Sequence, residues 1–186
     1  MKTKTFLLKK TAVLAAFVLP ALLSLATAMA QQTQGPRLPA TIPNVNLTDL
    51  DKVAMSLPDY GRKHMMIFYV DPDAHRQNRD FQTDVEARQP ELESPNIQAY
   101  AILNLKDTIL PNALVRSIAD RRTRGKPSVN LADDNRILST AWGLGDCNGK
   151  FCVLFVTRDR QIVYFRAGDF TDRDVAEFYA TVKRYM

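Results

Sequence analysis

Cysteine and histidine are scarce in this sequence of 186 residues, which contains two of each. Cys147 and Cys152 allow one disulfide at most, which excludes a small fold held together by several disulfides. His64 and His75 are the only imidazoles, so no cluster of His and Cys is available to build a metal site. Internal repeats are also absent, and the sequence therefore favours one ordinary globular domain.

A long apolar run occurs only near the N terminus, at Thr11–Ala26. Four lysines precede it, and Ala28-Met29-Ala30 has the small residues of a cleavage site. We therefore expect a cleavable signal peptide at residues 1–30, with cleavage after Ala30. The mature protein would be periplasmic or secreted, with no membrane anchor. A retained anchor helix is the alternative.

The basic charge of the chain belongs mainly to this leader. The formal net charge is +5, and it falls to +1 when the four lysines and no acids of residues 1–30 are removed. A charge near zero gives no reason to expect a nucleic acid or an anionic membrane as partner.

After the leader, residues 31–43 are polar and proline-rich, which predicts a flexible tether or an edge segment. Residues 44–186 form a single predicted domain. Its apolar patterns predict, in order, a β-hairpin at 44–57, a buried strand at 65–70, a helix at 80–89, a strand at 97–105, a helix at 111–122, a strand at 128–131, a helix at 136–142, a hairpin at 151–157 and 161–166, and a helix from 171 to the end.

Two parallel strands followed by an antiparallel hairpin and a closing helix resemble the thioredoxin-like superfamily. The N-terminal hairpin and Asp133–Leu144 are similar to the extra parts of its redoxin-type members. The resemblance implies an α/β fold with a central mixed sheet, helices on both faces and an N-terminal β-hairpin. Within the superfamily, the sequence most resembles the YtfJ-like exported bacterial proteins, a likeness carried by residues 102–107, 114–117, 132–144 and 153–168.

The resemblance implies a C-x-x-C motif, or a single peroxidatic cysteine, directly after the first core strand. Here Asp71–Asn78 follow the strand Met65–Val70, and they contain no cysteine. Phe151 or Cys152 occupies the position where thioredoxins carry a cis-proline. We therefore exclude a standard thioredoxin oxidoreductase or peroxiredoxin.

The two cysteines lie five residues apart, on either side of Asn148-Gly149. An Asn-Gly pair favours a tight reversal that brings the two sulfurs together. Three interpretations stay open: a structural disulfide, a redox pair in which Cys147 attacks and Cys152 resolves, and two free thiols.

Three further features have both a functional and a structural interpretation. Asp71, Asp73 and His75 offer two carboxylates and an imidazole for a metal or for acid–base catalysis, or they form a turn and a helix cap. Trp142 is a core residue or a ligand platform. A basic run offers an anion site or a solvated helix face, and it consists of Arg116, Arg121, Arg122, Arg124 and Lys126.

These observations favour a non-redox binding or scaffold protein of the cell envelope over an enzyme. We expect no cofactor and an envelope protein as partner, while the oligomeric state stays open. The predicted partner or ligand surface consists of Asp71, Asp73, His75, Arg76, Gly149 and Lys150. The alternatives are an atypical thiol–disulfide protein using Cys147 and Cys152, and a metal-assisted enzyme at Asp71, Asp73 and His75.

Overall fold

The computed structural model of this protein describes residues 35–186. The predicted signal peptide at residues 1–30 and its cleavage site lie outside the described residues. None of the described helices is both long enough and apolar enough to cross a membrane.

One mixed sheet of eight strands organises the described chain. The central strands β4, β5 and β6 are parallel, and β7 and β8 continue the sheet antiparallel to β4. The spatial order is β1-β8-β7-β4-β5-β6-β2-β3. The strands are β1 (Ala40–Thr41), β2 (Asn46–Thr48), β3 (Ala54–Ser56), β4 (His64–Val70), β5 (Ile97–Asn104), β6 (Val129–Asp133), β7 (Phe151–Val156) and β8 (Gln161–Ala167).

Five α-helices and one 3₁₀ turn connect these strands. The 3₁₀ turn (Pro72–Ala74) follows β4 directly. The helices are α1 (Arg79–Ala87), α2 (Gln89–Leu92), α3 (Asn112–Thr123), α4 (Ile137–Ala141) and α5 (Asp172–Tyr185). This order contains the predicted arrangement of two parallel strands, a hairpin and a closing helix, together with the predicted N-terminal hairpin, β2–β3.

Alternate residues of each strand point to opposite faces of the sheet, and both faces carry a core. The first face joins Ile67, Tyr100 and Leu154 to Leu138 and Trp142 from α4 and its C-cap. Trp142 is thus a core residue, and its indole N–H donates to the Pro43 carbonyl at 2.9 Å. The core of the second face consists of Met66, Phe155, Phe81 of α1, and Phe178 and Val182 of α5.

Two segments differ from the sequence prediction. The sequence predicts a single helix at 80–89, but α1 ends at Ala87 and a second short helix follows, with Pro90 in the first turn of α2. Proline fits there because the first turn of a helix needs no backbone N–H donor. In the proline-rich N-terminal segment, Ala40–Thr41 pair with β8 and Ile42 is buried, which corresponds to the edge interpretation.

Helix α5 begins with a capping box. The Thr171 hydroxyl accepts from the backbone N–H of Asp174, whose carboxylate accepts from the backbone N–H of Thr171 at 2.9 Å. Arg166 of β8 also pairs with this carboxylate. Because these hydrogen bonds stabilise the ionised form, the pKa of Asp174 is lowered from 3.8 to about 2.

This lowered pKa predicts an acid-dependent contribution to stability. A group with a lowered folded-state pKa stabilises the protein above its unfolded pKa, and that stability is lost as the pH falls through the folded value. At pH 7 we expect Asp174→Ala to reduce the free energy of unfolding by about 1 kcal/mol. The deficit should shrink between pH 4 and pH 2 in urea denaturation, with Asp172→Ala as control. A deficit independent of pH would contradict this role of the capping box.

Candidate functional site

A buried carboxylate begins the turn after β4, the turn in which the resemblance implied a redox cysteine. Asp71 follows β4 and has no exposed surface. Its Oδ1 accepts from the backbone N–H of Asp73 at 2.9 Å, and its Oδ2 accepts from the backbone N–H of Gly149 at 2.8 Å. Both oxygens are therefore used to join the 3₁₀ turn to the cysteine loop. Asp71 does not belong to an exposed partner surface, contrary to the sequence prediction.

The other members of that predicted surface lie close to this turn. Asp73, His75, Arg76 and Gly149 are exposed, while Lys150 is half-buried. The Asp73 carboxylate accepts from the Thr108 hydroxyl and the Ile109 backbone N–H, and His75 Nδ1 lies 2.8 Å from the Pro72 carbonyl. Among residues 35–186, no group of three or more acidic, His or Cys side chains is arranged to hold a metal ion.

Cys147 and Cys152 are neighbouring free thiols in the structure. The disulfide is not formed in it and stays a prediction. Cys147 is 4% exposed and Cys152 is 0% exposed, so both thiols are buried and Cys147 is the slightly more exposed of the two. The pKa of Cys152 is strongly raised, first by its hydrogen bond to Cys147 and then by burial. A thiol with a raised pKa is a poor nucleophile at neutral pH.

A second buried carboxylate lies on the same side of the sheet, at the end of β6. Asp133 accepts from the backbone N–H groups of Ile137 and Leu138 at 2.8 and 2.9 Å, and from the Tyr69 hydroxyl at 3.2 Å. It therefore caps α4. Burial, and next the charge of Asp133, raise the pKa of Tyr69. This network is closed to solvent, because both residues are fully buried.

The basic run separates into structural and exposed members. Arg116 is 4% exposed, and its guanidinium donates to the Asp49 carbonyl, the Thr48 hydroxyl and the Asp134 carboxylate. It thereby ties α3 to the β2–β3 hairpin. Arg124 pairs with Asp120, and Lys126 pairs with Glu86 at 3.3 Å. Arg121 and Arg122 are exposed on α3.

A wide groove lies between α1 and α3, on the second face of the sheet. Its volume is about 850 Å³. Its floor consists of Ala99, Ala101 and Leu103 of β5, next to Met66 and Phe68 of β4. The three β5 side chains are only half-buried, although β5 pairs with a strand on each side. Parallel strands are normally covered on both faces, so this partly covered stretch is unusual.

Apolar side chains form much of the two walls of the groove. Val85 projects from α1, and Val115 and Ile118 project from α3. The groove opens at two ends. Leu110 lies at the end near the 3₁₀ turn, and the ion pair between Lys126 and Glu86 lies at the other.

The sequence prediction missed this groove, but one signal for it is present. In β5 the residues facing the first side are large (Tyr100 and Ile102), whereas Ala99 and Ala101 face the other side. Two alanines on one face of a central strand leave unfilled space unless a neighbouring helix approaches closely.

Comparison with solved structures establishes the fold. The chain is similar to a hypothetical protein from Sinorhizobium meliloti, with 17% identity and a TM-score of 0.58 over 82% of this chain and 87% of that chain. A peroxiredoxin-like protein from Aquifex aeolicus has 8% identity and a TM-score of 0.55, covering 83% and 91% of the two chains. A candidate thiol:disulfide interchange protein, DsbE, from Chlorobium tepidum has 11% identity and a TM-score of 0.55, covering 79% and 96%.

No family model and no curated protein matches the sequence. The structural likenesses confirm the predicted thioredoxin-like fold. They do not establish an activity, because the sequence identities are low. Likeness to the YtfJ-like proteins in particular does not follow from them.

Burial of both cysteines predicts slow chemical modification. In the reduced native protein, we expect iodoacetamide to label Cys147 and Cys152 about tenfold or more slowly than in the urea-unfolded chain. Mass spectrometry of timed samples measures both rates. Labelling of Cys147 at the rate of the unfolded chain would contradict its burial.

The hydrogen bonds of Asp133 predict that its substitution strongly destabilises the protein. Asp133→Ala removes the partner of buried backbone N–H groups and of the Tyr69 hydroxyl. We expect the free energy of unfolding to fall by about 3 kcal/mol. Asn135→Ala, at an exposed position two residues away, should change it by less than about 0.5 kcal/mol. Equal losses in the two variants, measured by urea denaturation, would refute this role of Asp133.

Proposed function

We propose that this protein is an exported, non-redox binding protein that holds an apolar small molecule in the groove between α1 and α3. The single observation that carries the proposal is the half-buried floor of the groove on a central strand. Ala99, Ala101 and Leu103 are only partly covered by the helices, and this costs stability because apolar surface stays in contact with water. A bound apolar molecule would remove that cost.

The size and lining of the groove support a small-molecule ligand. Pockets for such ligands span roughly 300–1,000 Å³ and are mostly apolar, and the groove measures about 850 Å³. At the end near the 3₁₀ turn, Leu110 and Leu114 are 39% and 47% exposed. These side chains extend the apolar surface beyond the groove itself.

The residues at the carboxyl edge of the sheet support a non-redox function, because no exposed thiol lies among them. A thiol–disulfide enzyme needs an accessible thiolate. Here the turn after β4 contains no cysteine, and Asp71 at its start has both carboxylate oxygens bonded to backbone N–H groups. Cys147 and Cys152 are buried, and we assign them a structural role in holding the loop against the sheet.

The exported setting rests on the sequence of residues 1–30 and on the resemblance to the YtfJ-like proteins. An envelope protein that receives or delivers the ligand is part of the proposal. Its contact surface would be the exposed set Asp73, His75, Arg76 and Gly149. His75 also lines the groove, so a partner bound there would be placed at one end of it.

Binding of a neutral fluorescent probe tests the proposed function. We expect N-phenyl-1-naphthylamine to bind the purified protein with one saturable site and increased emission. Ala101→Leu fills the floor of the groove and should weaken binding about tenfold or more, because it occupies the volume that the probe needs. The same substitution at exposed Ala176 of α5 is the matched control. Absent binding, or equal binding by both variants, would overturn the proposal.

A further inference from the structure

We propose that the ligand of the groove is a long-chain amphiphile with an anionic head group, such as a fatty-acid carboxylate. The head group would lie beside Arg122 and the tail along β5. This inference rests on the proposed function, because it names the ligand class of the same site.

The length of the groove fits an extended hydrocarbon tail. Its floor follows β5 from Gln98 to Leu103. At about 3.3 Å per residue, these five steps span roughly 17 Å. Because Ala99 and Ala101 are small, they make the groove deeper between its walls on α1 and α3. A linear tail can extend along this length.

The polar groups of the groove are concentrated at one end, where α1 and α3 finish. Glu86 is neutralised there by Lys126, and Glu93 accepts a hydrogen bond from the Gln89 amide. Lys63 lies 3.9 Å from Asp59. Arg122 has no carboxylate partner among residues 35–186, so its guanidinium is free to pair with an anion. Guanidinium groups bind carboxylates through two parallel hydrogen bonds.

The opposite end of the groove is mainly apolar. Leu110, Pro72 and Phe151 line it, and His75 is the titratable side chain there. This polarity assigns a direction to the ligand: the head group lies at the Arg122 end and the tail points toward the 3₁₀ turn.

Displacement of N-phenyl-1-naphthylamine from the groove tests the assignment. Each added methylene should strengthen binding about fourfold, from decanoate to dodecanoate, until the groove is filled. Dodecanoate should bind more tightly than dodecanol. Arg122→Gln should weaken dodecanoate about three- to fivefold and leave dodecanol unchanged. Arg121→Gln is the matched control, because Arg121 lies on the same helix but does not line the groove.

Each outcome distinguishes this inference from the proposed function. Equal binding of dodecanoate and dodecanol, with no effect of Arg122→Gln, overturns the anionic class but keeps an apolar ligand. Failure of the neutral probe to bind overturns the proposed function itself. Dimerisation that is abolished by Ala101→Leu would assign the groove to a second copy, which also overturns it.

Discussion

A central strand of a parallel sheet has to be covered on both faces, and in this protein β5 is covered fully on only one. Its hydrogen bonds to β4 and β6 fix it in the middle of the sheet. Tyr100 and Ile102 are fully buried on the first face, while Ala99 and Ala101 form the open floor on the second. The distance between α1 and α3 therefore determines whether a ligand can reach the second face of β5.

The walls of the groove are held in place by contacts away from it. Phe81 anchors α1 against Phe178 of α5, with ring centroids 5.2 Å apart. Arg116 anchors α3 to the β2–β3 hairpin through a nearly fully buried guanidinium. Both helices are thus attached on their outer sides, which leaves the space between them open. At the carboxyl edge of the sheet, Asp71 and Asp133 hold the neighbouring turns in place through hydrogen bonds to backbone N–H groups.

Local patterns in the sequence predict most of the elements and little of the site. Thr171 and Asp174 predict the start of α5, because a capping box is a local interaction. Asp133 predicts the turn before α4 for the same reason. The groove depends instead on the distance between two helices that are separate in sequence, which no periodicity encodes. The burial of Asp71 and of the cysteines likewise depends on the approach of the 147–152 loop to β4, a long-range contact.

Methyl NMR of the protein titrated with dodecanoate tests the central claim, that the groove is a ligand site, most directly. The account predicts saturable chemical-shift changes at the methyl groups of Ala99, Ala101 and Leu103. The methyl groups of Ala176 and Ala180, on the exposed side of α5, should not change. Changes of equal size at all five positions, or none at Ala99 and Ala101, would contradict the account.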